Sequence, residues 1–159
     1  MDLSQAELRR FERDYALHYL DGETKPMNVG QPYLLEARGA ATGILLIHGL
    51  MAAPLEMREL AEGLHRGGFT VYAPRMVGHG TSADDLATRT RHDWRASVER
   101  GYIILRQCCD RVVVVGFSTG AGLALDQAVS HPERYSALIA ISAPLVFANP
   151  LGNVAGLAC

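Results

Sequence analysis

Apolar residues in this chain fall into two patterns that alternate along it. One is the short unbroken run: Gly43-Ile44-Leu45-Leu46-Ile47-His48, Phe69 to Ala73, Val112-Val113-Val114-Val115 and Ala137 to Ser142. Runs of this length, rich in β-branched residues and bounded by turn residues, predict strands covered on both faces. The other pattern is a stripe at spacings of three and four. Leu8, Phe11, Tyr15 and Tyr19 follow a Ser4-Gln5-Ala6-Glu7 capping-box pattern and predict an amphipathic helix from Ser4 to Leu20. Leu60, Ala61 and Leu64 share one face of a helix from Leu55 to Arg66. Trp94, Val98, Tyr102 and Leu105 mark another from Asp93 to Gln107, and Ala121, Leu123, Ala124, Leu125, Ala128 and Val129 a further one. Tyr33 to Ala37 has the length of a short strand. Asp21 to Gln31, Pro74 to Thr81 and His131 to Arg134 carry the residues of loops, and Asp84 to Arg91 reads as irregular or weakly helical.

Strands alternating with helices of this length specify an α/β fold, a mainly parallel sheet flanked by helices. The 159 residues suffice for one domain with a real core. Residues 1–32 form its N-terminal helix and loop, and residues 33–159 a core half-sheet. Composition narrows the function classes. A net charge of −2 with no basic block argues against nucleic acid and against an anionic membrane surface. Three cysteines, with Cys108 and Cys109 adjacent, make no disulfide framework and no metal-ligand spacing, and they suit a reducing compartment. Met1-Asp2-Leu3-Ser4 lacks the basic-then-apolar layout of a signal peptide. The longest mostly apolar run, Ala137 to Ala148, is broken by Pro144 and too short to span a bilayer. The expectation is a soluble cytoplasmic protein with no membrane anchor, no cofactor and no metal.

The chemistry concentrates after the valine run, at Gly116-Phe117-Ser118-Thr119-Gly120. Gly-x-Ser-x-Gly between a buried strand and a helix is the setting in which a serine becomes a nucleophile. Glycines on either side allow a tight turn that lifts the hydroxyl clear of the sheet. The first helical N–H groups then point at whatever the serine attacks. The competing reading is a glycine-rich turn whose serine only caps the helix.

The chain resembles the α/β-hydrolase superfamily, and within it the bacterial carboxylesterases and monoacylglycerol lipases. His48-Gly49-Leu50 with Pro54, Glu56 to Ala61, Pro74-Arg75, Gly78-His79-Gly80-Thr81, Asp93-Trp94, Cys109 to Val112, the elbow and His131-Pro132-Glu133 carry the resemblance, over about Gly43 to Pro144. It implies Ser118 as the nucleophile. It also implies an oxyanion hole made by the backbone N–H groups of Leu50 and Thr119, acting on a small-molecule ester with no cofactor. Preorganised N–H groups stabilise the alkoxide that ester attack creates. Thr119-Gly120-Ala121 stands where the family more often has methionine and a second glycine, which predicts reshaped acyl contacts with the donor retained.

In this fold the acid and the histidine follow the serine in sequence. Here the only downstream histidine is His131, with Asp126 and Glu133 as acids. His131 falls at the far end of the helix that Ser118 begins, roughly 20 Å away at ~1.5 Å per residue, which excludes it as the base. His48 and His79 read as structural, and His18, His65 and His92 as solvated. The expectation is an α/β-hydrolase fold truncated after the strand that follows the nucleophile helix, with acid and base beyond residue 159. A thioesterase or amidase would use the same nucleophile. A non-catalytic scaffold is the reading from another class. The strand at 137–142 is expected to form an unprotected apolar edge open to self-association.

Overall fold

The structure, a computed structural model, describes residues 2–144. Its centre is a five-stranded sheet in the order β1-β3-β2-β4-β5, built from β1 (Tyr33–Leu35), β2 (Thr42–Ile47), β3 (Thr70–Ala73), β4 (Arg111–Phe117) and β5 (Ala137–Ile141). β1 pairs antiparallel with β3, and every other pairing is parallel. β4 is the strand that positions the elbow. It is paired along its length by β2 on one side and β5 on the other, with Leu45 beside Val114 and Gly116 beside Ala140.

Alternation along the strands splits the core into two layers. Leu45, Ile47, Val112 and Val114 face α5 (Arg91–Arg106) and α6 (Thr119–Ser130), meeting Trp94, Val98, Leu105, Leu123 and Ala124. Ile44, Leu46, Val71 and Val115 face α3 (Arg58–Arg66), meeting Met57 and Ala61. Both faces of β2 and β4 are therefore apolar, which is why their sequences are continuous hydrophobic runs.

Several elements differ from the sequence expectation. α1 (Leu3–Leu17) is capped by Asp2, whose carboxylate accepts from the N–H groups of Ser4 and Gln5; Ser4 sits inside the helix and donates its hydroxyl to the same carboxylate. The segment read as a loop holds α2 (Met27–Gly30), wedged where an added Cβ on Gly30 would come within 3.0 Å of Phe11 and Gly80. The helix expected from Leu55 opens as a tight 3₁₀ turn, Pro54–Met57, and then becomes α3. Its buried face is Met57 and Ala61, while Leu60 is exposed. The weakly helical stretch contains a short helix, α4 (Ala83–Ala87), capped by Ser82. α5 begins with a reciprocal Thr90–Asp93 capping box. β5 is the sheet edge among the described residues, and Ile139 and Ile141 on it are exposed. No helix of the described residues is long and apolar enough to cross a membrane.

Candidate active site

β4 ends at Phe117, and the chain turns into α6 through Ser118, held at φ 53° and ψ −121°. A non-glycine residue at positive φ is strained, and such strain persists only where surrounding contacts impose it. Here they do. The Ser118 N–H donates to the Ile141 carbonyl of β5 (2.9 Å), and the Ser118 carbonyl accepts from Ala121 (2.9 Å) and Gly122 (3.3 Å). An added Cβ on Gly116 would lie 2.1 Å from the Gly120 oxygen, and one on Gly120 would lie 2.4 Å from the carbonyl oxygens of Ile47 and His48. Both positions require glycine because the elbow folds flat onto itself and onto the end of β2. The Ser118 side chain makes no capping bond to α6, so it is not held as a helix cap. It stands half-buried at the N-terminus of a twelve-residue helix.

The loop after β2 reaches the same place. A Cβ on Gly49 would come within 3.3 Å of the Ser118 Cβ, so this backbone runs too close to the serine to carry a side chain without a shift. Leu50 follows, half exposed, and Met51 turns at φ 58°. Ser118, Thr119 and the Leu50 backbone are thus gathered at the carboxyl ends of β2 and β4. Beside the loop lies a cavity of about 220 Å³ walled by Met51, Ala52, Ala53, His79, Ser82 and Leu86.

His48 is fully buried just ahead of this loop. Its Nε2 accepts from the Met76 N–H (3.2 Å), which leaves the proton on Nδ1 to donate to the Gly49 carbonyl (2.9 Å). Burial, with His79 adding to it, pushes its pKa down to about 3. His79 packs edge-on between His48 and Trp94 (centroids 4.9 and 5.5 Å apart) and donates Nδ1–H to the Met76 carbonyl (3.1 Å). Burial lowers it to about 4. Both rings are neutral braces. His131 caps the far end of α6, Asp126 pairs with Arg95 on α5 (3.0 Å), and Glu133 lies 3.9 Å from His131. The structure brings none of these three to Ser118.

One histidine departs from its reading. His18 is not on a solvated face; its Nε2 is 3.5 Å from the fully buried Asp85 carboxylate. Asp85 also accepts from Thr81 (2.7 Å) and from Arg89, and lies 3.8 Å from Arg75. Arg75 in turn donates to Asp14 on α1 (2.8 Å). Sequence reasoning missed this buried cluster. The local signal for it was Ser82-Ala83-Asp84-Asp85, a capping pattern that places an acid beside the Gly78-His79-Gly80-Thr81 turn.

A mainly parallel sheet, an elbow serine at positive φ and a backbone loop against it are the architecture of the α/β-hydrolase fold. The chain belongs to the alpha/beta hydrolase family, whose model matches residues 44–158. It is 45% identical over 97 residues to a thermostable monoacylglycerol lipase of Bacillus sp. (strain H-257), covering 61% of this chain and 39% of that protein. It is 27% identical over 120 residues to a carboxylesterase of Bacillus subtilis (strain 168), covering 75% of this chain and 48% of that one. A structure solved for the metagenome-derived lipolytic enzymes LipS and LipT superposes with a TM-score of 0.73 at 35% identity, over 82% of this chain and 52% of that one. The chain thus spans less than half the length of the curated relatives it matches.

Proposed function

We propose that the protein containing this chain hydrolyses carboxylic esters through an acyl-enzyme on Ser118. The observation that carries this reading is the elbow: a serine at positive φ, free of any capping bond, at a helix N-terminus and against the loop after β2. In this reading a histidine from beyond residue 159 takes the Ser118 proton, and an acid from the same region orients it. The Ser118 oxygen attacks the ester carbonyl, whose oxygen becomes an anion accepting from the Leu50 and Thr119 N–H groups. Collapse of this intermediate expels the alcohol, which takes the proton from the histidine. Water, activated by the same base, then releases the acid and restores the serine.

The rim supports a substrate class. Leu50, Met51, Phe117 and Ile141 are all exposed around this end of the sheet, a surface that suits an acyl chain. Short- and medium-chain esters or monoacylglycerols fit that surface, and the 45% identical relative is a monoacylglycerol lipase.

The test uses the full-length protein and a short p-nitrophenyl ester. Ser118→Ala should leave the fold intact and lower turnover on the order of 10⁴-fold or more, because members of a triad act as a unit. Undiminished turnover in that variant removes Ser118 from the mechanism.

A further inference from the structure

A peptide unit is rigid and planar, so the Gly49 carbonyl and the Leu50 N–H turn together. Whatever fixes that carbonyl aims the N–H. The carbonyl is held by the His48 Nδ1–H, and the ring behind it is held at Nε2 by the Met76 N–H. Met76 belongs to a turn closed three times over. His79 donates both its N–H and its Nδ1–H to the Met76 carbonyl (3.1 Å each), and Arg75 Nε donates to the His79 carbonyl (2.7 Å).

That last bond comes from a cation whose side chain is only 4% exposed. Arg75 Nη1 reaches Asp14 Oδ2 on α1 (2.8 Å), and its guanidinium lies over the Phe11 ring of the same helix, 5.0 Å from the centroid. Nη2 has no hydrogen-bond acceptor among the described residues, and Asp85 stays 3.8 Å away. Of the two carboxylates near this buried cation, Asp14 is the one that holds it by a hydrogen bond.

We infer that Asp14 is a positioning residue for the oxyanion peptide. Through Arg75, the 75–79 turn and His48 it holds the Gly49–Leu50 plane at the angle that presents the N–H to the anion. This rests on the reading of the Leu50 N–H as an oxyanion donor. Asp14 lies outside residues 44–158, so the family's shared segment is completed from α1. Each link is a hydrogen bond between groups buried or partly buried, where a lost partner is costly and a misaimed donor is not replaced by water.

The experiment compares α1 variants of the full-length protein on a p-nitrophenyl ester. Asp14→Asn should lower kcat roughly 3- to 30-fold with KM nearly unchanged, the scale of coupling carried by a packed network. Affinity for an alkylboronic acid, whose tetrahedral adduct places an oxygen in the oxyanion position, should fall by the same factor. Asp14→Glu should restore most of the loss, and it stands in if Asp14→Asn folds poorly. Leu3→Ala is the control: it loosens α1 by removing an apolar contact with the core and deletes none of the network's hydrogen bonds. It should lower Tm and leave kcat and boronate affinity alone. Two outcomes overturn the inference: an unchanged kcat in folded Asp14→Asn, or an equal loss of kcat in Leu3→Ala. The underlying reading fails separately, if Leu50→Pro turns over ester at the wild-type rate or Ser118→Ala stays active.

Discussion

β2 and β5 lie on either side of the elbow strand, and their sequences are chemically alike: Gly-Ile-Leu-Leu-Ile against Ala-Leu-Ile-Ala-Ile. Their surroundings are not alike. Ile44, Leu45, Leu46 and Ile47 are all buried, with α3 over one face and α5 over the other. On β5 only Leu138 is partly covered, packed against the α5–α6 layer, and Ile139 is 50% exposed. A hydrophobic run thus predicts a strand, while burial depends on what the rest of the chain lays over it. The two strands also differ in what they hold. β2 runs into the braced His48-Gly49-Leu50 loop, whereas β5 contributes one carbonyl, that of Ile141, to the Ser118 N–H.

The largest effect should come at the carboxyl end of β2. Leu50→Pro deletes one N–H and should lower kcat about 10²- to 10³-fold if that donor is used, whereas Leu50→Ala keeps the N–H and should cost much less. Equal losses in steady-state assays of the two variants would remove the Leu50 amide from the oxyanion hole and with it the functional half of the contrast.

Within the strands themselves, Ile47→Ala removes a side chain with no exposure and should cost about 2–5 kcal/mol, the range for buried aliphatic truncations. Ile139→Ala should cost less than about 1 kcal/mol, as expected where no cavity forms. Urea denaturation of the 159-residue chain measures both. A loss at Ile139 matching that at Ile47 would mean that β5 is as well covered as β2.

The smallest effect is one of pH. The buried imidazoles behind β2 titrate at about 3 and about 4, below the unfolded value near 6.5. Folding therefore favours their neutral forms. The stability they contribute is complete above pH 6.5 and declines as pH falls toward 4 and 3, at ~1.4 kcal/mol per pH unit for each ring. β5 carries no titratable group. His79→Gln should flatten the fall of Tm between pH 6.5 and 4.5, and an unchanged slope would show that His79 is already protonated in the folded protein.

The parts legible in the sequence were those whose cause is local. Four valines in a row can sit only where both faces are covered, and glycines two residues either side of Ser118 describe a turn too tight for a Cβ. The parts that were not legible are made by residues far apart in the chain. Asp14 and Arg75 are 61 positions apart, and His18 and Asp85 are 67 apart (85 − 18), so no window along the sequence contains either pair. α2 forms because Phe11 and Gly80 close around Gly30, which its own four residues do not announce. The Ser4 cap failed for a smaller reason: Asp2 competes for the same N–H groups with a charged acceptor.

The ion pair between Asp14 and Arg75 also bears on how this hydrolase is parsed into a transferable module. Boundaries drawn at the shared family segment, residues 44–158, would keep Arg75 with Asp85 at 3.8 Å but lose Asp14, the carboxylate that hydrogen-bonds it. Breaking a buried ion pair costs about 3–5 kcal/mol, and the remaining Asp85 and the partial exposure of Asp14 bring the loss here below that range, against a domain's ~5–15 kcal/mol of stability. Fusion or truncation of this protein would then retain more stability where the cut lies ahead of α1, making the first helix part of the folding unit.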